Sequence, residues 1–221
     1  MYKSFKFDLG RNALRFIIRT YNIKQIYIPY YLCDVVRHTL VEEGCKPLFY
    51  HINDNFFPTE EFPVDSYILY TNYWGICGVN VEKLSKIYPN IIIDNAHAYF
   101  DTPMGLASFN AGHKFGFKNS YAFLQGTVEN LPDELFNKEL IIERKNKFFQ
   151  LHQKYKNINL LNIDIASVPF CYPCLADTIE NADKLVQELK KEGKTIYRYW
   201  NTLPKNYNEY KFYSRLVPIP I

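Results

Sequence analysis

The sequence lacks the short glycine signatures that mark several common enzyme classes. Its nine glycines never form the G-x-G-x-x-G loop of dinucleotide-binding folds, and no G-x-x-x-x-G-K-[ST] phosphate loop is present. The G-x-S-x-G turn, which carries the nucleophile of α/β-hydrolases, is also missing. These absences argue against a Rossmann dehydrogenase, a P-loop nucleotidase and a serine hydrolase of the usual kinds.

Charge of one sign and long apolar runs are scarce as well. The net charge is only +3 and no Lys/Arg run stands out, so we expect no nucleic-acid partner. No stretch has the apolar length of a signal peptide or a membrane span, which predicts a soluble cytosolic protein with no membrane partner. The five cysteines are then expected to be reduced thiols. "CYPC" has metal-ligand spacing but no matching second pair, so no metal is predicted.

Apolar and aromatic residues are plentiful, and their pattern predicts an α/β fold. Of the 221 residues, 48% are hydrophobic and 17% aromatic, enough for a sizeable core. Up to about residue 125, helical patterns alternate with short apolar runs. The helices are expected at 10–22, 33–44 and 80–88, and the strands at 25–29, 45–52, 66–72 and 90–94. This alternation predicts a mostly parallel sheet with helices on both faces.

The pattern changes after about residue 130. A long charged amphipathic helix is expected over 132–155, followed by a strand-like segment over 165–173, a helix over 178–193 and a strand over 194–200. We therefore predict a large α/β domain over residues 1–130. A second part, residues 131–221, would hold the long helix and a small α+β C-terminal domain.

Polar residues collect at predicted strand ends and loops of the first part. Asp94 ends "IIID", where it could salt-bridge a cationic ring nitrogen or cap the next turn. A helix N-terminus such as that at Arg11 and Asn12 is a natural phosphate seat. A lysine in a cleft, such as Lys114, can form a Schiff base, although an exposed lysine is the commoner case. A phosphate seat, a ring-nitrogen acid and a Schiff-base lysine together are what a pyridoxal phosphate site requires.

The order of several blocks resembles a known family, the DegT/DnrJ/EryC1/StrS sugar aminotransferases, which are fold-type I pyridoxal phosphate enzymes. The blocks are "LGRNAL", "YIPYYLCDVV", "GCKPLFYHI", "TNYWG", "IIIDNAHAYF" and "SFNAGHKFGFKNSYAFL", and the likeness continues to the end of the chain in "GKTIYRYWNTLP" and "LVPIPI". The resemblance implies an aspartate-aminotransferase-like large domain and bound pyridoxal 5'-phosphate. It further implies a homodimer that transfers an amino group from glutamate to a keto-sugar nucleotide in surface-polysaccharide biosynthesis.

The resemblance also implies roles for individual residues. Asp94 would pair with the pyridinium nitrogen, and His97 would contact the ring or its phenolic oxygen. Ser108 matches a hydroxyl that assists the phosphate, and Lys114 is the best match for the Schiff-base lysine. The remaining expected cofactor contacts are Gly10, Arg11, Asn12 and Ala13 at the phosphate turn, with Tyr31 and Cys33 beside the ring.

Departures from the family pattern leave alternatives open. The commonest spacing from Ser108 reaches His113 rather than Lys114, and some family dehydratases carry histidine there. Lys118 is a more remote candidate for the lysine. The chain is short for the family, and "KNSYAF" stands where a glycine-rich run is usual. The alternatives are therefore a dehydratase or decarboxylase using the same cofactor, or a trimmed, non-catalytic relative that binds a ligand or partner.

Overall fold

A computed structural model of the chain describes residues 1–127, 130–163, 165 and 168–221. Within these ranges the strands are β1 (Tyr2–Phe7), β2 (Gln25–Pro29), β3 (Lys46–Tyr50), β4 (Ile68–Thr71), β5 (Ile91–Asn95), β6 (Ala107–Asn110), β7 (Ser120–Gln125), β8 (Cys171–Leu175) and β9 (Leu216–Pro220). The α-helices are α1 (Gly10–Thr20), α2 (Asp34–Glu42), α3 (Gly78–Ile87), α4 (Lys138–Tyr155), α5 (Ile179–Lys191) and α6 (Tyr210–Arg215). None of these helices is both long and apolar enough to span a membrane.

The large sheet has seven strands in the order β1-β7-β6-β5-β4-β2-β3. Strands β2 to β6 run parallel to their neighbours within that group, and β7 and β1 add an antiparallel edge. The prediction of a mostly parallel sheet with helices is therefore confirmed. A second, antiparallel sheet consists of β8 and β9.

Both faces of the large sheet are covered, which explains why its strands are apolar without interruption. In β5, Ile92 packs with residues of α1 and α2, including Leu14 and Leu40. Its neighbours Ile91 and Ile93 face the opposite side and belong to a second cluster. Because side chains alternate along a strand, three consecutive isoleucines serve both cores.

The small sheet packs on the large one through that second cluster. Phe148 of α4 and Tyr172 of β8 are fully buried together with Tyr70 of β4 and Trp74, which follows β4. A shared hydrophobic core therefore joins the two parts of the chain. The boundary between two domains at residues 130 and 131 stays a prediction.

Three elements differ from the sequence expectation. The helix expected over 132–155 is divided into a 3-10 helix, Asp133–Phe136, and α4, because the Asn137 side chain caps α4 by accepting from the Leu140 N–H at 3.1 Å. The prediction of a strand over 194–200 is wrong: β8 pairs with β9, and the rings of Tyr199 and Trp200 pack against Trp74 and His97, which follow β4 and β5. Of the strand expected over 165–173, only the part from Cys171 on is observed, while residues 166 and 167 lie outside the described residues.

Candidate active site

A cavity of about 150 Å³ lies at the carboxyl edge of the large sheet. Thr71 of β4, Asp94 of β5 and Phe109 of β6 stand side by side in register and line its floor. Equivalent positions on neighbouring strands project to the same face, here the face covered by α1 and α2. The cavity thus occupies the place where open parallel sheets bind ligands.

Two helix N-termini close the other side of the cavity. Gly10 and Arg11 of α1 line it, as does Cys33 at the start of α2. The backbone N–H groups of Gly10 and Arg11 have no acceptor among the described residues. A Cβ atom on Gly10 would lie 2.9 Å from the Asn110 carbonyl oxygen, so only glycine lets α1 approach the sheet this closely. Free amides at two converging helix dipoles form a seat for an anion.

Asp94 is the buried acid of the cavity, with 4% of its surface exposed. Its Oδ1 atom accepts a hydrogen bond from the Ala96 N–H at 2.9 Å, as a turn-capping aspartate does. Burial raises the pKa of the Asp94 carboxyl, and the positive charge of Lys114 partly opposes that rise. The Asp94 carboxylate is therefore shielded from water, and a cationic group of a ligand could stabilise its charge in place of that water.

Lys114 reaches the cavity from a 3-10 helix, Gly112–Phe115, that follows β6. Gly112 makes this turn possible, because a Cβ atom there would come within 1.9 Å of the Asn119 carbonyl oxygen. Burial lowers the pKa of Lys114, and the negative charge of Asp94 partly restores it. A lysine with a lowered pKa has more of the free amine that attacks a carbonyl carbon.

His97 forms part of the cavity wall within a stack of aromatic rings. Its ring is nearly parallel to those of Trp74 and Phe170, with centroids 5.1 Å away in each case. Neither ring nitrogen has a hydrogen-bond partner among the described residues, and the side chain is buried. Burial, with the charge of Lys114, holds the pKa of His97 well below its usual range. The imidazole is therefore neutral and has hydrogen-bonding capacity to offer a ligand.

The structure brings most of the sequence-predicted site residues to one cavity. Those that line it are Gly10, Arg11, Cys33, Asp94, His97, His113 and Lys114. They come from α1, the start of α2, the end of β5 and the 3-10 helix after β6, which are distant in sequence.

Four other predicted residues do not line the cavity. The Asn12 side chain is already hydrogen-bonded: its Nδ2 atom donates to Asp8 Oδ1 at 2.7 Å, and its Oδ1 atom accepts from Arg15 Nη1 at 2.8 Å. Ala13 and Tyr31 are buried in separate clusters, and the Tyr31 ring is stacked on Tyr73 rather than exposed to the cavity.

Ser108 is also fully buried away from the cavity. It pairs in register with Ile93, whose side chain packs on the opposite face of the sheet from α1. Its hydroxyl has no hydrogen-bond partner among the residues that the structure describes.

The three candidates for the Schiff-base position occupy different environments. Lys114 is half-buried between Asp94 and Phe170, whose ring lies 5.7 Å from the Lys114 Nζ atom. His113 lines the same cavity but is exposed, and its pKa is lowered by partial burial and by the neighbouring charges of Lys114 and Arg11. Lys118 is exposed and does not line the cavity.

The lining residues that were not predicted from the sequence include Thr71 and Trp200. Thr71 lies beside Asp94, and its hydroxyl has no partner in the described part of the chain. The strand pattern that placed Asp94 at an edge could have identified it. Trp200 comes from the segment after α5 and stacks on His97. No local signal in the sequence indicates that contact.

Comparisons with known proteins agree with this architecture. No family model and no curated protein sequence matches the chain. Among solved structures, Spr1654 from Streptococcus pneumoniae, described as a sugar aminotransferase, has a TM-score of 0.74 at 14% identity, covering 99% of this chain and 81% of its own. PseC from Helicobacter pylori, an aminotransferase involved in pseudoaminic acid biosynthesis, has a TM-score of 0.73 at 15% identity, covering 98% of this chain and 81% of its own.

A DegT DnrJ EryC1 StrS aminotransferase from Brucella abortus also shares the fold. Its TM-score is 0.71 at 12% identity, and the match covers 99% of this chain and 80% of that protein. The resemblance predicted from the sequence blocks is therefore confirmed at the level of the fold. The chain has the architecture of fold-type I pyridoxal phosphate aminotransferases.

Proposed function

We propose that the protein is a pyridoxal phosphate-dependent aminotransferase. The observation that carries this proposal is the convergence of Asp94, His97 and Lys114 on one cavity, opposite the N-termini of α1 and α2. The fold it shares with sugar aminotransferases, including forms solved with pyridoxal phosphate and pyridoxamine phosphate, supports it.

The residues present fit the cofactor at each of its polar groups. The free amides of Gly10 and Arg11 suit the phosphate, and the buried Asp94 carboxylate suits the protonated ring nitrogen. The unpartnered nitrogens of His97 suit the ring or its phenolic oxygen. When bound, pyridoxal phosphate supplies an electrophilic carbon and an electron sink.

The protein's own contribution would be positioning and proton transfer. Asp94 would keep the ring nitrogen protonated, since a buried carboxylate gains most from a cationic partner. Lys114 Nζ, as a free amine, would take the proton from the α-carbon of the donor and would pass it on to the bound cofactor rather than back to that carbon. The lowered pKa of Lys114 suits a group that must act as a base near neutral pH.

As acceptor we propose a keto-sugar nucleotide of surface-polysaccharide biosynthesis, with L-glutamate as donor and a homodimer as the active form. The shared fold with PseC and Spr1654 supports this choice. The test is incubation of the purified protein with pyridoxal phosphate, L-glutamate and a panel of keto-sugar nucleotides. Mass spectrometry should detect an amino sugar nucleotide and 2-oxoglutarate in equal amounts. Formation of neither product with any acceptor would contradict the proposal.

A further inference from the structure

A glutamate outside the cavity is hydrogen-bonded to three side chains from other parts of the chain. Glu134 belongs to the 3-10 helix that precedes α4. The Tyr99 and Tyr121 hydroxyls donate to its Oε2 atom at 3.0 and 2.8 Å, and the Asn119 Nδ2 atom donates to its Oε1 atom at 3.2 Å. None of these four residues lines the cavity. The site described above therefore does not account for this cluster.

The Glu134 carboxyl is ionised, so these hydrogen bonds are charge-assisted. Burial acts to raise its pKa, but the hydrogen bonds from Tyr121, Tyr99 and Asn119 outweigh burial and lower it. Burial and the hydrogen bond to Glu134 raise the pKa of Tyr121 to about 12. Burial and the charge of Glu134 raise the pKa of Tyr99 as well. Both hydroxyls therefore keep their protons at neutral pH, and bonds of this kind are roughly twice as strong as neutral ones.

The cluster contacts the turn that carries Lys114 through its backbone. The Asn119 carbonyl oxygen packs directly against Gly112, where a Cβ atom would clash with it. Gly112 lies two residues before Lys114, and its own carbonyl oxygen accepts from the Phe117 N–H at 2.9 Å. The position of Asn119 therefore fixes the position at which the turn begins.

The Tyr99 ring supports the same turn through aromatic contacts. Its centroid lies 4.7 Å from that of Phe117, with an interplanar angle of 14°, and 5.6 Å from that of Phe115. Phe115 follows Lys114 directly in the sequence. The Glu134 carboxylate thus binds both the hydroxyl of the ring on which the turn packs and the side chain at the end of the turn.

Lys114 depends on a fixed turn because burial of its amine is unfavourable. Burial lowers the pKa of Lys114, and its ammonium form would regain hydration by leaving the cavity. The neighbouring residues His113 and Gly116 are exposed, so solvent is close. A turn that relaxed would let the amine move out of the cavity. A displacement of about 1 Å is enough to slow a reaction ~100-fold.

We propose that Glu134 is a positioning residue that holds the Lys114 amine in the cavity through the two tyrosines and Asn119. Glu134 does not line the cavity, so it acts on Lys114 only through the turn. The inference rests on the proposed function, because it concerns the amine that would react with the cofactor. It assigns a role in the active site to the segment between the large sheet and α4.

Two forms of the cofactor distinguish positioning of the amine from a general loosening of the fold. Pyridoxal phosphate can link covalently to a lysine, whereas pyridoxamine phosphate carries an amine in place of the aldehyde and cannot. In Glu134→Gln, binding of pyridoxal phosphate should weaken by ~10-fold or more, because hydrogen bonds to a charged group are lost. The dissociation constant of pyridoxamine phosphate should change by less than about 2-fold. Equal effects on the two forms would overturn the proposal.

Two further variants assign the effect to the cluster. Asp133→Asn is the control, because it removes one charge from the same 3-10 helix at an exposed position, and it should leave both affinities unchanged. Tyr121→Phe removes one donor and should weaken pyridoxal phosphate binding alone, by about 3-fold. Circular dichroism must show folded proteins. If Glu134→Gln does not fold, Tyr121→Phe decides, and unchanged binding in that variant overturns the proposal.

Hydrogen exchange distinguishes failure of this inference from failure of the proposed function, because it needs no cofactor. In cofactor-free Glu134→Gln, the backbone amides of residues 112–119 should exchange at least ~10-fold faster, while those of β4 and β5 keep their rates. If neither cofactor form binds the unmodified protein, the proposed function fails. The exchange measurement then still decides whether Glu134 holds the turn, and unchanged exchange over 112–119 would overturn the inference.

Discussion

The His97 imidazole lies parallel to the Trp200 indole, with centroids 5.6 Å apart and an interplanar angle of 7°. His97 follows a central strand of the large sheet, whereas Trp200 belongs to the segment after α5. Trp200 also has a positive φ of 60°, a backbone conformation that a bulky residue rarely adopts. Packing of the indole therefore stabilises this backbone conformation of Trp200. Through Trp200, the C-terminal part of the chain forms part of the cavity wall.

We predict that Trp200→Ala weakens both the fold and the cofactor site. Loss of a stacked indole should lower the free energy of unfolding by about 3 kcal/mol and raise the dissociation constant of pyridoxal phosphate. Urea denaturation and a fluorescence titration measure the two effects. Phe136→Ala is the control, because Phe136 is 59% exposed and should change stability by only about 0.5 kcal/mol. Equal effects of the two substitutions would refute the structural role of Trp200.

Asp94→Asn should impair the site while preserving the fold. Asparagine keeps an oxygen to accept the Ala96 N–H but loses the charge that would pair with a protonated ring. We expect cofactor affinity and turnover to fall by ~10-fold or more, since charge-assisted bonds of this kind are strong. The absorbance titration with pyridoxal phosphate and the far-ultraviolet circular dichroism spectrum give the two readouts. Full turnover of the Asp94→Asn variant with bound cofactor would refute this role and would show that Asp94 serves only to cap the turn.

The lowered pKa of Lys114 predicts a pH dependence of stability in the cofactor-free protein. Between the folded pKa and the ordinary value of 10.5, the unfolded chain binds more protons at this site. The free energy of unfolding of the unmodified protein, relative to Lys114→Met, should therefore rise as the pH approaches 10.5 and level off above it. Urea denaturation over this pH range measures the difference. A relative stability that falls over the same range would show that Asp94 raises the pKa of Lys114 above its ordinary value.

We predict that the active protein is a homodimer with the cavity near the interface. Val35 lines the cavity and is 40% exposed, so an apolar side chain at the cavity mouth lacks cover. Light scattering at micromolar concentration should give twice the monomer mass of 26.2 kDa. A monomer mass in a preparation that is fully active would refute the dimer.

The parts of the site that the sequence predicted lie on regular elements of the large sheet. The sequence predicts the position of Asp94 because three isoleucines run into an acid, and an apolar run that ends on a carboxylate indicates a strand edge. It predicts the positions of Gly10 and Arg11 because a helical pattern begins there. The positions of these residues follow from the local periodicity of apolar residues and from the polar residues at the ends of each periodic segment. Their functional roles follow from the family resemblance.

The remaining parts depend on contacts between distant segments. The sequence predicts both Ser108 and Asp94 at strand ends or loops, but the register of β5 and β6 places Ser108 on the other face of the sheet. Glu134 falls within the helix predicted over 132–155, and only the fold brings it next to Tyr99. Period-3.6 and period-2 patterns do not encode such long-range packing.

Lys114 is the residue that we propose binds pyridoxal phosphate covalently. The purified protein mixed with the cofactor should absorb in the violet-blue, and borohydride should fix the link, with mass spectrometry locating it on Lys114. Lys114→Ala should abolish both signals, whereas Lys118→Ala, at an exposed position outside the cavity, should retain them. An unchanged spectrum in Lys114→Ala, or an adduct on another lysine, would contradict the claim. Bound cofactor without any link would favour dehydratase chemistry with His113, and no bound cofactor at all would favour a non-catalytic relative.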